Sequence, residues 1–551
     1  MLKKLFQVGM CLSLSAAVHA ASPATISEQF IVKFKPQAES LLSSNEKLSA
    51  ALGLRIPSNK AMAAQLTIVT VSPSKSFTQI KAILKQLRQS DLVEYAVEDR
   101  KSFIKPMAPI STSLGTLPSH DLQWDQLGAP GGVMLESSAG KKDGAWHYSL
   151  GESLMPVAVA VIDTGVEPNE RLINNFLYDN NGRLVGWNFS ANNSNISDET
   201  GGYHGTHVAG TIAANGFDNT GMGPKLKILP VKIPDSTGMF YESAVINGIY
   251  WAAGADVPGV PENPYPAKVM NMSFGIDLGP GKEVDTCDQV MQDVVDFAIS
   301  HGSVLVVAAG NNNSEDDLGA PAGCKGTVRV SSTGQTGLRA YYSNYGRGID
   351  YAAPGGDKRL GANGGILSTV QVGRGINGSG LDYKQGTSMA SPHVAGLFGL
   401  VFAYGQASGI TAEQAKGIVY STTHNFGSNG TEDNSCLGNK ACGHGIIDAE
   451  QALAAVDANY RFMLNAPKLS QLNLTHEGCT GHKVRAQAKA IENEYGNWQL
   501  LNNACVVKQD LDLPSLNTMD FSVTASYGAL QYRIYPQGHC ERIGIDGVGC
   551  S

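Results

Sequence analysis

The stretch Gln385-Gly386-Thr387-Ser388-Met389-Ala390-Ser391-Pro392-His393-Val394-Ala395-Gly396 constrains this chain more than any other. Small residues and Gly386 precede Ser388, and small and apolar residues follow it, which predicts a tight turn opening into a buried helix. Pro392 fits the first turn of that helix, where an amide has no intrahelical carbonyl to bind. Ser388 is then expected at the positive helix end, where free amides and the macrodipole stabilise negative charge. Alone, a serine in that place is an N-cap. Only partners elsewhere in the chain would give its hydroxyl a chemical role.

A hydroxyl becomes a nucleophile at neutral pH when a base takes its proton and a third group fixes the tautomer of that base. Two upstream stretches supply both residue types: Val157-Ala158-Val159-Ala160-Val161-Ile162-Asp163-Thr164-Gly165 and His204-Gly205-Thr206-His207-Val208-Ala209-Gly210-Thr211. The unbroken apolar run from Val157 to Ile162 predicts a central parallel strand buried on both faces and ending at Asp163. Open α/β sheets place chemistry at such carboxyl ends. Asp163-Thr164-Gly165 also matches aspartic proteases, but those need two carboxylates sharing a proton, and no second Asp-Thr-Gly or Asp-Ser-Gly occurs. His204 and His207 could together hold a metal, yet the zinc-protease pattern His-Glu-x-x-His is missing. Gly205, Ala209, Gly210, Ala213 and Ala214 predict a helix packed closely on the sheet.

With Ser388, these blocks in the order Asp, His, Ser resemble the subtilases, the subtilisin-like serine proteases, over roughly residues 120 to 455. The resemblance implies an α/β fold, a central mostly parallel sheet with helices on both faces, and hydrolysis of peptide bonds. It implies Ser388 as nucleophile, His204 as base, Asp163 as the group that holds His204, and His207 as a supporting residue. Val269-Met270-Asn271-Met272-Ser273-Phe274-Gly275 resembles the strand whose end, at Ser273, Phe274 and Gly275, pairs with substrate. Val304-Leu305-Val306-Val307-Ala308-Ala309-Gly310-Asn311 resembles the strand that brings Ala308, Ala309 and Gly310 to the cleft and Asn311 to the oxyanion, beside the Ser388 backbone amide. Phe274 stands where many relatives carry an aliphatic residue, so a narrower or more aromatic pocket is expected. The chemistry requires no cofactor. Relatives often bind structural calcium, but Glu167-Pro168-Asn169-Glu170-Arg171 is short and residues 215–223 show no ligand pattern, which leaves the calcium ligands unassigned.

The 551 residues exceed the usual ~100–200 per domain, so several units are expected. Lys3 and Lys4, the apolar run Leu5 to Val18, and small residues at Val18 and Ala20 make residues 1–20 a secretory signal peptide cut after Ala20. That run is too short for a bilayer span of ~20 residues, and no membrane anchor is expected after its removal. Residues 21–110 read as a small α+β unit. Phe30–Phe34, Leu66–Val71 and Val93–Val97 have strand composition, and a helix capped by Ser76 carries Ile80, Ile83, Leu84 and Leu87 on one face. This unit resembles the inhibitory propeptide of subtilases, making the chain's own propeptide its intramolecular inhibitor, joined through a loose linker from Lys105 to Ser119.

The catalytic unit is placed at 111–460, its folded part starting near Asp121, and residues 461–551 read as a small disulfide-stapled β module of unassigned role. In that module Phe521–Tyr527 and Leu530–Tyr535 alternate as half-buried strands. The formal charge of −8 argues against nucleic-acid or anionic-membrane partners. Nine cysteines, of which Cys11 leaves with the signal peptide, suit an oxidising compartment. Cys287 with Cys324 and Cys436 with Cys442 are the pairs expected in the catalytic unit, leaving Cys479, Cys505, Cys540 and Cys550 for the tail. The expectation is a secreted, monomeric zymogen of a serine endopeptidase acting on proteins or peptides. Two other readings are a processing peptidase of narrow specificity and a catalytically silent binding protein on the subtilase fold.

Overall fold

The computed structural model describes residues 29–457 except 72–76, 105–122, 139, 142, 277–286, 374, 376–377, 429, 432–433 and 438–439; beyond 457 it describes the backbone of a helix to Asn465 and of eight short strands. The signal peptide, the Ser76 cap, the linker and the side chains of the tail cysteines lie outside the described residues.

In the N-terminal unit, β1 (Gln29–Phe34), β2 (Ser58–Ala61), β3 (Leu66–Thr70) and β4 (Val93–Glu98) form an antiparallel sheet in the order β2-β3-β1-β4. Strand alternation puts Phe30, Val32 and Phe34 on one face, where Ile80 and Leu87 of α2 (Phe77–Gln89) cover them. Ile31, Leu66 and Val97 share a second core with the catalytic unit, so this sheet is buried on both faces. Two elements here escape the sequence reading. Helix α1 (Asn45–Leu52) has only two turns and buries Leu48 and Leu52, with Ser44 Oγ accepting from the Lys47 amide at its start. Strand β2 is Ser-Asn-Lys-Ala, a polar edge strand with no apolar alternation to reveal it.

The chain then crosses to the catalytic unit through β5 (Lys101–Phe103). There β6 (Ala158–Asp163), β7 (Trp187–Asn188), β8 (Lys227–Lys232), β10 (Val269–Met272), β11 (Val304–Ala308), β12 (Val328–Thr333) and β13 (Tyr351–Pro354) form a seven-stranded sheet in the order β13-β12-β11-β10-β6-β8-β7. Every pairing in it is parallel. Along β6, Val159 and Val161 join the core formed with α3 (His204–Ala213), α6 (Thr387–Tyr404), α7 (Ala412–Ser421) and α8 (Ala449–Asn465). Ala158, Ala160 and Ile162 join the core formed with α4 (Glu242–Ala252) and α5 (Gln289–Ser300). Period-two alternation between two cores explains why this strand reads as continuously apolar. A hairpin of β14 (Ile366–Gln371) and β15 (Ser379–Lys384) lies against α3.

The N-terminal unit sits on the α4 and α5 face. Strand β5 pairs antiparallel with β9 (Met239–Tyr241), and the Ile104 amide donates to Gly238 O. Tyr241 leaves α4 without a side-chain cap, and Asp99 supplies one: its carboxylate accepts from the Ser243 amide (2.9 Å) and hydroxyl (2.8 Å). Arg100 grips the buried Glu242 carboxylate through two nitrogens and also reaches Asp288 at 3.1 Å. The Tyr95 hydroxyl donates to Asp293 Oδ2 at 2.8 Å.

Beyond α8, eight short strands continue the chain, among them Val523–Thr524 and Gln531–Ile534 within the segments read as strands. Among the described residues no helix is long and apolar enough to cross a membrane.

Among the described residues two disulfides, Cys287–Cys324 and Cys436–Cys442, close segments with sequence separations of 37 and 6. Loop-closure entropy makes the longer crosslink worth about 4 kcal/mol and the shorter about 2 kcal/mol. Replacing both cysteines of the 287–324 pair by serine is therefore expected to lower the denaturant midpoint about twice as far as replacing both of the 436–442 pair. Denaturation curves of the two double variants check this.

Candidate active site

The site is assembled on the carboxyl edge of the parallel sheet. Asp163 is the last residue of β6 and fully buried. Its Oδ1 accepts from the Thr164 amide (2.7 Å) and from His204 Nδ1 (2.8 Å). Because Oδ1 is an acceptor, His204 carries its proton on Nδ1 and keeps Nε2 for a second partner. His204 opens α3, whose preceding residue Tyr203 is left-handed and makes no side-chain cap. Two other side chains replace the cap: Thr164 Oγ1 accepts from the Gly205 amide at 2.8 Å, and Asp198 Oδ2 accepts from the Thr206 amide and hydroxyl, both at 3.1 Å. Gly205 is required at this contact, since a Cβ there would lie 2.2 Å from Gly165 O.

Burial disfavours the His204 imidazolium, but the Asp163 charge and hydrogen bond, helped by Asp198, outweigh it and raise the histidine above its ordinary range. His207 behaves oppositely. Its Nε2 faces the carbonyls of Ile366 (3.0 Å) and Asp382 (3.1 Å), and burial holds it well below the ordinary range, so it is a neutral brace between α3 and the hairpin.

Ser388 is the second residue of α6, inside the helix rather than on a turn before it, and Pro392 is the sixth residue rather than one of the first turn. A proline at that place deprives the Ser388 carbonyl of its i+4 donor. Ser273, just past β10, takes over: its hydroxyl donates to Ser388 O at 2.9 Å, while Ser388 Oγ donates to Ser273 O at 2.8 Å. In this rotamer the serine hydroxyl rests on a carbonyl and not on His204, and catalytic hydrogen bonds often tighten only once substrate is bound. Asn271, buried within the apolar β10, orients Ser273 through Nδ2 (2.9 Å) and accepts from Ser391 Oγ (2.5 Å).

Asn311 follows β11. Its Oδ1 accepts from the amide (2.9 Å) and hydroxyl (3.0 Å) of Thr387, which assigns the carbonyl end and leaves Nδ2 as the end available to an anion. Thr387 Oγ1 also accepts from the Gly310 amide at 3.1 Å. Ser273, Phe274 and Gly275 leave β10 beside Ala308, Ala309 and Gly310, which end or follow the neighbouring β11. Phe274 is buried edge-on to Phe240, with ring centroids 5.3 Å apart.

Thr387, Asn271, Ser391 and Asp198 serve this arrangement without having been singled out as site residues. The one sequence signal available was a polar residue, Asn271, interrupting an apolar strand. For calcium, Arg171 occupies the segment after Asp163 and pairs with Glu170 (2.8 Å) and Asp218 (2.5 Å). Among the described residues no three acidic, His or Cys side chains converge as metal ligands.

A model of the subtilase family matches residues 156–445. The chain is 31% identical over 474 residues to an extracellular basic protease of Dichelobacter nodosus, an alignment covering 78% of this chain and 71% of that protein. It is 35% identical over 336 residues to an extracellular protease of Xanthomonas campestris, covering 56% of this chain and 53% of the relative. Among solved structures, a protease from Pseudoalteromonas arctica matches with a TM-score of 0.52 and 35% identity, covering 62% of this chain and 98% of that one. Fervidolysin from Fervidobacterium pennivorans shares the fold, with a TM-score of 0.56 at 22% identity over 87% of this chain and 68% of that one. The chain belongs to the subtilase family. It is a serine endopeptidase.

If His204 must be neutral to act, kcat/KM falls as pH drops through its raised pKa, so the acid limb is expected above the ordinary histidine value of ~6.5. Asp163→Asn removes the largest raising influence and is expected to move that limb to lower pH while lowering kcat about ten thousand-fold. pH–rate profiles of both forms check the sign.

Proposed function

We propose that this chain is the zymogen of a secreted endopeptidase in which Ser388, His204, Asp163 and Asn311 perform the hydrolysis. The observation that carries the reading is the buried 2.8 Å contact of His204 Nδ1 with Asp163, set on the same sheet edge as Ser388 and Asn311. Ser388 Oγ attacks the peptide carbonyl carbon as its proton passes to His204 Nε2. The resulting oxyanion is bound by Asn311 Nδ2 and the Ser388 backbone amide, one of the first-turn donors of α6 without an intrahelical acceptor. His204 then returns the proton to the leaving amine, and the C–N bond breaks to give an acyl-enzyme. Water, deprotonated by the same imidazole, releases the acid and restores Ser388. Removing one oxyanion donor costs on the order of 3–4 kcal/mol, so Asn311→Ala should reduce kcat strongly.

In this reading residues 1–20 direct export, 21–110 inhibit and template the enzyme, 111–460 catalyse, and 461–551 form a separate module. Export is supported by the leader-like start, the disulfides and the extracellular designation of two relatives. Inhibition is supported by the seat of the N-terminal unit. Strand β5 adds to the edge strand β9, and buried Ser102 reaches toward Gly275 O at 3.5 Å, so the tail of this unit runs along the proposed substrate-pairing segment. The cap from Asp99 and the grip of Arg100 on Glu242 supply polar contacts that a randomly chosen substrate would not make.

Such a placement leads the precursor to cut itself between Lys105 and Ser119 without a second enzyme. Expressing the full precursor and its Ser388→Ala form and sequencing the product N-termini tests this. Wild type is expected to begin within that segment and the variant to stay joined. The same cut in purified Ser388→Ala, with other proteases absent, would overturn the mechanism.

A further inference from the structure

Asn311 stands in an irregular backbone. Gly310, Asn313 and Asp316 all have positive φ, at 104°, 53° and 47°, so the segment after β11 is neither helix nor strand and needs outside partners to hold one shape. Backbone bonds from Asn313 to Tyr342 O and from Asp316 to Tyr345 O supply some of them, and one buried side chain on that same part of the chain supplies four more. Asn344, between β12 and β13, donates from Nδ2 to Ala309 O (3.0 Å) and Asp317 O (2.9 Å). Its Oδ1 accepts from the Asn312 amide (2.9 Å) and the Ser314 amide (3.2 Å). Its own backbone amide donates to Gly310 O at 2.9 Å. Every hydrogen-bonding direction of this side chain is therefore spent on the backbone that flanks Asn311 on both sides. A Cβ at Gly310 would lie 2.5 Å from Asn344 Nδ2, so the approach leaves no room for a side chain at that residue.

We propose that Asn344 is a positioning residue for transition-state stabilisation: it clamps the backbone from Ala309 to Asp317 so that Asn311 presents Nδ2 to the oxyanion. This rests on the reading of Asn311 given above. The division of labour is physical. Thr387 fixes the side-chain carbonyl of Asn311, and Asn344 fixes the backbone from which that side chain springs. Asn344 carries no charge and touches neither Ser388 nor His204 through a hydrogen bond, so its loss should leave the nucleophile and base in place. An oxyanion donor acts on the transition state, so displacing it lowers kcat and leaves KM nearly unchanged. Donor strength falls steeply with distance and angle, and a shift of a few tenths of an ångström at Asn311 suffices.

The test is a double-mutant cycle in the mature enzyme, with kcat normalised to sites titrated to completion by an organophosphonate, so that misfolded protein is not counted. Asn344→Ser is expected to lower kcat about tenfold or more with KM within about twofold, and Asn311→Ala about a hundredfold or more. Adding Asn344→Ser to Asn311→Ala should lower kcat by less than about threefold further, because the clamp has nothing left to position. If Asn344→Ser does not fold, Asn344→Asp provides the same reading, since it keeps the two acceptor contacts and loses the two donor contacts. Equal losses in both backgrounds, or a loss confined to KM, would show a general structural role and overturn the proposal. Full activity of the Asn344 variant would also overturn it. An Asn311→Ala enzyme of normal kcat would instead remove the oxyanion reading itself, an outcome distinct from the others.

Discussion

Parallel pairing in one register sets the terms for everything at this site. Met272 lies opposite both Ile162 and Val307, so β6, β10 and β11 end together on one edge of the sheet. Residues distant in the chain are thereby brought side by side: Asp163 ends β6, Ser273 follows β10 and Gly310 follows β11. Parallel strands need crossover connections; α3, α4 and α5 lie in those that lead from β6 to β8, from β8 to β10 and from β10 to β11, while β11, β12 and β13 are joined without a helix. The start of α3, bearing His204, lies in such a crossover, whereas α6, bearing Ser388, follows the β14–β15 hairpin and packs on β10, β11 and β12.

Polar groups at this edge are drawn out of water and must satisfy one another, which accounts for the density of reciprocal contacts. Neither α3 nor α6 has a side-chain cap at its own N-cap residue, and residues from elsewhere fill the role: Thr164 and Asp198 for α3, Asn311 for α6. In Asn311 the cap of α6 and the proposed oxyanion donor are the two ends of one side-chain amide. The Asn311 carbonyl that satisfies the first amide of α6 also dictates which way its NH2 points. The proline that interrupts α6 frees the Ser388 carbonyl, and Ser273 binds it, tying Ser388 to the end of β10. The N-terminal unit follows the same logic at a distance, with Asp99 capping α4.

Much of this was legible because it is local. The apolar run of β6, the Asp-Thr-Gly turn at its end, the histidine block and the serine block each announce themselves within ten residues, and their order names the family. The α2 helix of the N-terminal unit was visible from the spacing of Ile80, Ile83, Leu84 and Leu87. What escaped was tertiary or weakly patterned. Asn344 and Thr387 gain meaning only from their partners in three dimensions, and β2 is too polar to betray a strand. Pro392 shows how a local rule can be outvoted: first-turn placement was the expectation, but the helix begins five residues earlier, with Ser273 replacing the donor that the proline removes. The same tertiary support leaves Ser388 within the helix and partly exposed.

The central claim is that one hydroxyl among many on this chain is activated, and that the Asp163–His204 pair activates it. The most direct measurement is reaction of the mature enzyme with a peptidyl organophosphonate, followed by peptide mass mapping and by the rate of adduct formation in His204→Ala. A single adduct on Ser388, with labelling of the variant slowed by about a thousandfold or more, is the predicted result. An adduct on another residue, or labelling of Ser388 at an undiminished rate without His204, would contradict it.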